Sequence, residues 1–567
     1  FVRMIAGGIG IAGGLWQWAV RGMALPPFDW WRASRVHPPA FDITEFPYWS
    51  LLFADLHPHL MGVSFFGLVI AIAVAYVFSA VGGLRAQAWG LAVLLGFALG
   101  LVRTVHTWDF PTAVLLGSAG IVAGQMLAEG RWQQRWWNAM AHLAVAAGVL
   151  VVAFAPYTGR FEVFEQGLVR ARETTPANQQ VAQFGVFFAF AAAFLVLRCY
   201  EELSARRFRP GSNIGLALVA GWWELGALAV FLTGLTAFTW QFGLTTIALS
   251  AVAILFFANL AWIEYRARDR NIPRLLVTAL FVAAFGISAG VDVVNLKNDI
   301  VRMNTVFKFG LQAWQLFALA SAYAGWYVWR ALWAVRGWRP APRVGRTLPA
   351  YAGAALAAFL LFSASIYLWS GTKARQEARF AETDPTLDGL AYMDRGTYYE
   401  DAGTPDRGDD GLIRLEDDKE LIEWLRENVK GSPVIAEAVG PLYHWTGRIS
   451  VNTGLPSVIG WDWHEIAYRM VYAGLVQERR LDTTVFYRAG DEESAREYIR
   501  KYNVSYIVVG TEERLHGTAE GLSRLQHMDG LTEVYRSGPY AIYKVDPALR
   551  ESPAPVQQLL EGPPKPP

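Results

Sequence analysis

The sequence predicts a polytopic α-helical membrane protein of about eleven transmembrane helices with an extracytoplasmic α/β domain at its C-terminal end. Three observations carry that prediction. Of 567 residues, 53% are hydrophobic and only 17% charged, with a mean hydropathy of +0.24, which is not the composition of a soluble chain. Charge-free runs of roughly 20 residues, the helical length that crosses a hydrocarbon core, recur along the first two thirds. Charges are also segregated: between Phe1 and Trp369 they sit in short clusters, and from Gly371 onward Asp, Glu, Arg and Pro are frequent. Near-equal basic and acidic counts, 50 against 49, argue against a nucleic-acid binder held by bulk charge. The single Cys199 excludes a disulfide framework, a CxxC redox motif and a Cys-based zinc site.

The candidate spans are 4–20, 60–80, 86–102, 110–128, 137–155, 180–197, 213–234, 241–263, 275–291, 309–329 and 348–369. The stretch 225–263 holds 39 residues without a formal charge, too many for one span, and Gly234, Thr236 and Gln241-Phe-Gly243 mark the break. The opening run reads as a retained helix and not as a removed signal peptide. The domains expected are a multi-helix transmembrane domain over 1–370, with chemistry-bearing external loops at 21–59, 103–110 and 292–308. A linker over 371–415, a soluble α/β domain over 416–548 and a Pro-rich tail over 549–567 follow.

Orientation follows from the basic residues. The even-numbered connections hold sixteen arginines, Arg85, Arg131, Arg198, Arg266 and Arg330 being the first in each. The odd-numbered connections are longer in total and carry fewer basic residues. Even loops are therefore placed in the cytoplasm, and odd loops with the C-terminal domain outside the cell (plasma) membrane.

The odd loops hold most of the polar residues with a chemical look. Asp55, His57 and His59 lie at spacing two, and Pro58 disfavours helical geometry at His57, so an extended segment would aim alternate side chains to one side. His106 sits with Asp109 in the next external loop. Asp55, His57, His59, His106 and Asp109 read either as ligands or acid–base groups around a divalent cation, Mg²⁺ or Mn²⁺ ahead of Zn²⁺, or as caps of helix ends at the interface. Arg302 and Lys308 flank a helix start at which Asn304 or Thr305 would cap. Basic side chains at that depth suit a lipid phosphate, or else anchor at the outer interface by snorkelling. Glu224 falls either deep in the seventh span or in an interfacial Trp222-Trp223-Glu224 belt.

In the tail, Asp417–Val429 reads as a helix, Gly431–Glu437 as a buried strand, 491–502 as a helix and Val504–Gly510 as a strand. The strand candidates 531–536 and 540–545 flank the turn Ser537-Gly-Pro. No GxGxxG or GxxxxGK[ST] segment is present, so no nucleotide is expected. Trp461, His464, Glu465 and Arg469 lie in a loop suited to an acceptor or sugar, with Trp461 and Trp463 either stacking on sugar rings or packing this domain onto the membrane half.

The strings Glu45-Phe-Pro, Phe53-Ala-Asp-Leu-His-Pro-His59, Trp108-Asp-Phe-Pro111, Arg302-Met-Asn-Thr-Val-Phe-Lys-Phe309 and Thr453-Gly-Leu-Pro with Gly460-Trp and His464-Glu465 resemble the Chlor_Arch_YYY membrane protein family. The resemblance covers nearly the whole chain, and that family is functionally uncharacterised. Its architecture is similar to the GT-C superfamily of polyprenyl-phosphate-sugar-dependent glycosyltransferases. The resemblance implies a GT-C-like fold, a first-loop catalytic acid at Asp55 with Glu45 as alternate, and a second-loop acid at Asp109. It implies Arg302 and Lys308, with any metal, on the departing lipid phosphate. It also implies a polyprenyl-phosphate-linked donor drawn from the membrane lipids and a protein or glycan acceptor. The histidines of Asp55-Leu-His-Pro-His59 are not usual in a GT-C first loop.

The expected function is thus a membrane glycosyltransferase. The alternative is a non-catalytic subunit that anchors or assembles an extracytoplasmic complex with other membrane subunits. A transporter would have only Glu224 as a buried coupling group and no inverted repeat, and hydrolysis of a lipid-linked substrate would use the same site.

Overall fold

A backbone that crosses hydrocarbon has to satisfy its polar groups internally, and helix is the way a single segment does so. In the computed structural model the described residues are 20, 28–37, 42–54, 56–161, 167–207, 234–239, 243–267, 269–297, 299–334, 344–377, 381, 383–399, 412–468 and 472–550. They fall into two compact units, Phe1–Glu377 and Ala378–Pro567.

The described part of the first unit consists mainly of helices. These are α1 (Pro47–Phe53), α2 (Pro58–Val81), α3 (Arg85–Val105), α4 (Phe110–Leu127), α5 (Trp132–Ala153), α6 (Ala177–Arg207), α7 (Thr245–Arg266), α8 (Ile272–Gly290), α9 (Met303–Ala334), α10 (Val344–Ile366) and α11 (Thr372–Gln376). Proline stands in the first turn of α1, α2, α4 and α8, where its fixed φ suits the helix and its missing N–H is not needed. Among the described residues, eight helices are long and apolar enough to cross a membrane: α2 to α5, Ala177–Cys199 of α6, α7, α8, and Ala355–Gln376. The expected spans 4–20 and 213–234 lie mostly outside the described residues, and Glu224 lies outside them. The expected span 309–329 lies within α9, a helix that is not among those eight.

Small residues set the helix packing, as they do wherever helices meet in lipid. A Cβ on Gly96 would come within 2.5 Å of the Ala146 carbonyl, and one on Gly100 would run into the Phe154 ring, so α3 and α5 approach closely. Around these contacts Phe66, Val69, Phe281, Leu316 and Phe317 form a continuous core. Toward one end of the bundle Arg198 pairs with Glu202 at 2.8 Å and faces Glu264 at 3.5 Å, while Tyr327 donates to Glu201 at 2.6 Å. At the opposite ends of α6 and α8 a short antiparallel ribbon forms from β1 (Leu168–Arg170) and β2 (Val294–Leu296).

The second unit contains a ribbon of β3 (Thr397–Tyr399) and β4 (Leu412–Arg414), followed by α12 (Leu415–Asn428). Ordered structure thus reaches into 371–415, the segment expected as a linker: α11 runs to Gln376, and β3 and β4 pair. A four-stranded sheet has the order β5 (Val434–Ala436), β6 (Val504–Val509), β8 (Tyr540–Val545), β7 (Leu531–Ser537). The first pair is parallel and the others antiparallel. Between β5 and β6 run α13 (Arg448–Thr453), α14 (Asp462–Tyr468), α15 (Ala473–Arg488) and α16 (Glu492–Tyr502), and α17 (Thr511–His516) and α18 (Ala519–His527) follow β6. The Asp491 side chain caps α16 by accepting from Ser494 N at 2.8 Å, and Asn503 ends it in the left-handed conformation. Gly538, with φ of 56°, turns the β7–β8 hairpin.

Arg448, 2% exposed, lies among the buried charged residues of this unit. Its Nη2 donates to Asp418 at 2.9 Å and to Glu513 at 2.8 Å. Burial opposes its charge, but the two carboxylates outweigh that and hold the guanidinium firmly protonated. Arg448→Met strands Asp418 and Glu513 without a counter-charge and is expected to cost about 3–5 kcal/mol. A lower thermal or denaturant midpoint for this unit checks it, and an unchanged midpoint contradicts it.

Candidate functional site

Three stretches that are far apart in sequence, the first loop, the segment before α6 and the α8–α9 connection, meet at the ribbon end of the first unit. Arg302, immediately before α9, is 2% exposed. Its Nη2 donates to Asp42 at 2.8 Å and its Nη1 to Asp292 at 2.7 Å, while Thr175 Oγ1 accepts from Nη2 at 2.8 Å. Thr175 in turn donates to Asp292 from its backbone N at 2.9 Å and its hydroxyl at 2.8 Å. His37 faces the same Asp42 oxygen at 3.3 Å. Burial works against ionisation throughout this group. For Asp42 the His37 and Arg302 contacts overcome it and hold the carboxyl below the ordinary range. For Arg302 the two carboxylates overcome it and raise the guanidinium. For Asp292 burial prevails and the carboxyl is raised, although Arg302 and Thr175 oppose it. Arg302, expected on a lipid phosphate, is therefore committed to two carboxylates; it clamps loops together.

Beside the clamp lies a chain of three ionisable groups. Lys308, one and a half turns into α9, has its Nζ 3.3 Å from His59 Nδ1. His59 Nε2 lies 3.3 Å from Glu45 Oε2, and Ser50 donates to that same oxygen at 2.9 Å. Because Lys308 has only protons to offer, His59 accepts at Nδ1 and presents its N–H at Nε2 to Glu45. The Phe307 ring packs 4.6 Å from the His59 ring and 3.9 Å from Lys308 Nζ.

A third group completes the cluster. His106 Nδ1 lies 2.9 Å from Asp109 Oδ2, and Gln312 of α9 donates to Asp109 Oδ1 at 2.7 Å. Gly62 of α2 makes room for it, since a Cβ there would stand 2.6 Å from Asp109 Oδ2. Lys308 feels both Glu45 and Asp109, which joins this group electrostatically to the chain above. His106 Nε2, Gln312 Oε1, His37 Nε2 and Asp292 Oδ2 are buried without a hydrogen-bond partner. Orphaned polar atoms at this density are the condition a polar ligand or ordered water relieves. Over the first loop, Trp30, Trp49 and Phe53 stack at 5.4 and 5.1 Å, with Arg375 lying 5.0 Å over Trp30.

Several expected residues are placed differently from the sequence reading. Pro58 does keep His57 extended, with φ −72° and ψ 151°, but it also opens α2, so His59 lies inside a helix and not on an alternating strand. The rings of His57 and His59 are 5.2 Å apart. Asp299, and not Asn304 or Thr305, caps α9 by accepting from the backbone N of both, at 3.0 and 2.7 Å. Glu45, His59, His106, Asp109 and Lys308 come together, and Asp55 and Arg469 lie outside the described residues. Among the described residues no three His, Cys, Asp or Glu side chains converge as a metal set. Trp461, His464 and Glu465 belong to the second unit. Thr175 and Gln312 were not singled out in the sequence, and Asp42 and Asp292 stood there only among the polar residues of the odd-numbered loops, without a partner or a role. Only their position in the odd loops or on α9 hinted at them.

Two comparisons with known proteins bear on the chain. A family model described as Uncharacterized membrane protein (DUF2298) matches residues 4–317, a span that holds all three groups. A comparison with curated proteins found no match.

Arg302→Met leaves Asp42 and Asp292 buried without a cation and is expected to destabilise the first unit by about 3–5 kcal/mol. Hydrogen exchange should quicken over 42–46 and 171–176. Adding Asp42→Asn and Asp292→Asn to that variant should restore part of the loss, and a triple variant no more stable than Arg302→Met alone contradicts the clamp.

Proposed function

The chain belongs to the DUF2298 family of uncharacterised membrane proteins, and on that premise we propose that it is an integral membrane glycosyltransferase. In this reading it draws a polyprenyl-phosphate-linked sugar from the bilayer and works at the extracytoplasmic face of the cell (plasma) membrane. The observation that carries it is the buried Lys308–His59–Glu45 chain beside Asp109–His106, at the end where the odd-numbered connections meet. The resemblance to GT-C enzymes supplies the substrate class, and the arginine-rich even loops supply the orientation.

The geometry supports one division of labour. Glu45, aligned by His59 and Ser50, takes the proton of an acceptor hydroxyl or amide as that atom bonds to the anomeric carbon. The bond from that carbon to the carrier phosphate breaks, and the phosphate leaves with its electron pair. Lys308 meets the charge that develops there. Asp109, oriented by Gln312 and His106, provides the second carboxylate, and Arg302 positions the loops without touching substrate. Asp55, His57 and the rest of the proposed divalent-cation set keep that role as a proposal, and no step here is routed through a metal. The alternative, a non-catalytic subunit holding an extracytoplasmic complex, draws on the closed Arg302 clamp, which is a structural feature in its own right. Stable co-purification of partner chains with a transfer-inactive protein would favour it.

The test uses the chain in nanodiscs with a polyprenyl-phosphate-linked sugar and a hydroxyl or amide acceptor. Glu45→Gln should lower transfer about 10²–10⁴-fold, the usual worth of a general base, with the melting temperature kept. Undiminished transfer in a folded Glu45→Gln protein removes Glu45 from the mechanism.

A further inference from the structure

The loop after β5 in the second unit holds Tyr443 at φ 62°, a left-handed conformation disfavoured for an aromatic residue and maintained only where the surroundings impose it. In that conformation the side chain stands out from the surface, 59% exposed. Its ring centroid lies 5.1 Å from that of Trp461 and 5.8 Å from that of His464, with interplanar angles of 62° and 88°. Trp461 and His464 are themselves 6.4 Å apart at 78°. The rings therefore stand edge to face and enclose a corner. Polar groups edge it: Tyr443 OH lies 3.2 Å from His464 Nδ1, and Glu465 follows His464 on α14. Trp461 Nε1 is buried with no acceptor.

We propose that Tyr443, Trp461 and His464 form a saccharide-binding corner on the second unit. The apolar C–H face of a pyranose lies on the rings, and its hydroxyls meet Trp461 Nε1, His464 and Glu465. Aromatic rings supply large rigid contact area with a polar edge, which matches a sugar's one apolar face and ring of hydroxyls. The orphaned donor decides between ligand classes. A hydroxyl oxygen gives Trp461 Nε1 the acceptor it lacks, whereas a quaternary ammonium, the other ligand aromatic corners hold, has none to give. The corner requires no chemistry at Glu45, so it stands or falls separately from the glycosyltransferase reading.

Saturation-transfer difference NMR on the full chain in nanodiscs tests it, with methyl glucoside, galactoside and mannoside as probes and tetramethylammonium beside them. At least one pyranoside should receive saturation on its C–H protons. Tyr443→Gly, which removes the ring and relieves the backbone, should weaken that binding about tenfold with an unchanged or higher melting temperature. Trp461→Phe removes the N–H together with the five-membered ring that carries it and should also weaken binding, while Glu45→Gln should leave it unchanged. Transfer to none of the three sugars, wild-type binding in Tyr443→Gly, or binding of tetramethylammonium alone overturns the proposal.

Discussion

A guanidinium buried between two carboxylates is the interaction on which the polar end of the membrane unit depends. Removing three charges from water costs several kcal/mol per ion, and only near-ideal geometry offsets it. Arg302 supplies that geometry, with its terminal nitrogens 2.7 and 2.8 Å from Asp292 and Asp42. Its partners come from the first loop, from the turn after α8 and, through Thr175, from the segment leading into α6. None of these segments can move far without exposing or stranding a charge. Asp42 is three residues before Glu45, so the clamp that holds the loop also delivers Glu45 to His59.

The neighbouring groups gain their character from that enclosure. In a low-dielectric interior each polar contact is stronger and each missing one is more costly. Lys308, His59 and Glu45 form a chain in which every member fixes the proton position of the next. Phe307 packs against both the imidazole and the ammonium. Gly62 matters here for what it lacks, because any side chain at that point of α2 would push into Asp109 and His106. The second unit solves a similar problem with Arg448, whose partners Asp418 and Glu513 lie on α12, which precedes β5 in the chain, and on α17, which follows β6.

Much of the helix pattern was legible because hydropathy is a local property. A run of roughly 20 apolar residues has one economical conformation in lipid, and eight of the described helices meet that requirement. The candidate site was legible only in part. His59, His106, Asp109 and Lys308 stood out by type and position, and Glu45 only through the family resemblance. Their partners did not, since Asp42 and Arg302 are 260 residues apart and nothing in either neighbourhood names the other. Pro58 shows the limit within a single tripeptide. Its steric rule correctly keeps His57 extended, yet its preference for a first helical turn moves His59 onto a helix face.

By itself, then, the sequence determined that this chain enters a membrane several times, which residues carry charge into its connections, and which side chains have acid–base chemistry to offer. These are properties of composition and short-range sterics. Tertiary structure alone decided that Arg302 bridges Asp42 and Asp292, that Asp299 caps α9, and that Lys308, His59 and Glu45 stand in line. It also decided that Tyr443 joins Trp461 and His464. The reason is physical: an ion pair or ring contact depends on distance in space, and helix packing sets that distance between residues whose order along the chain holds no record of it.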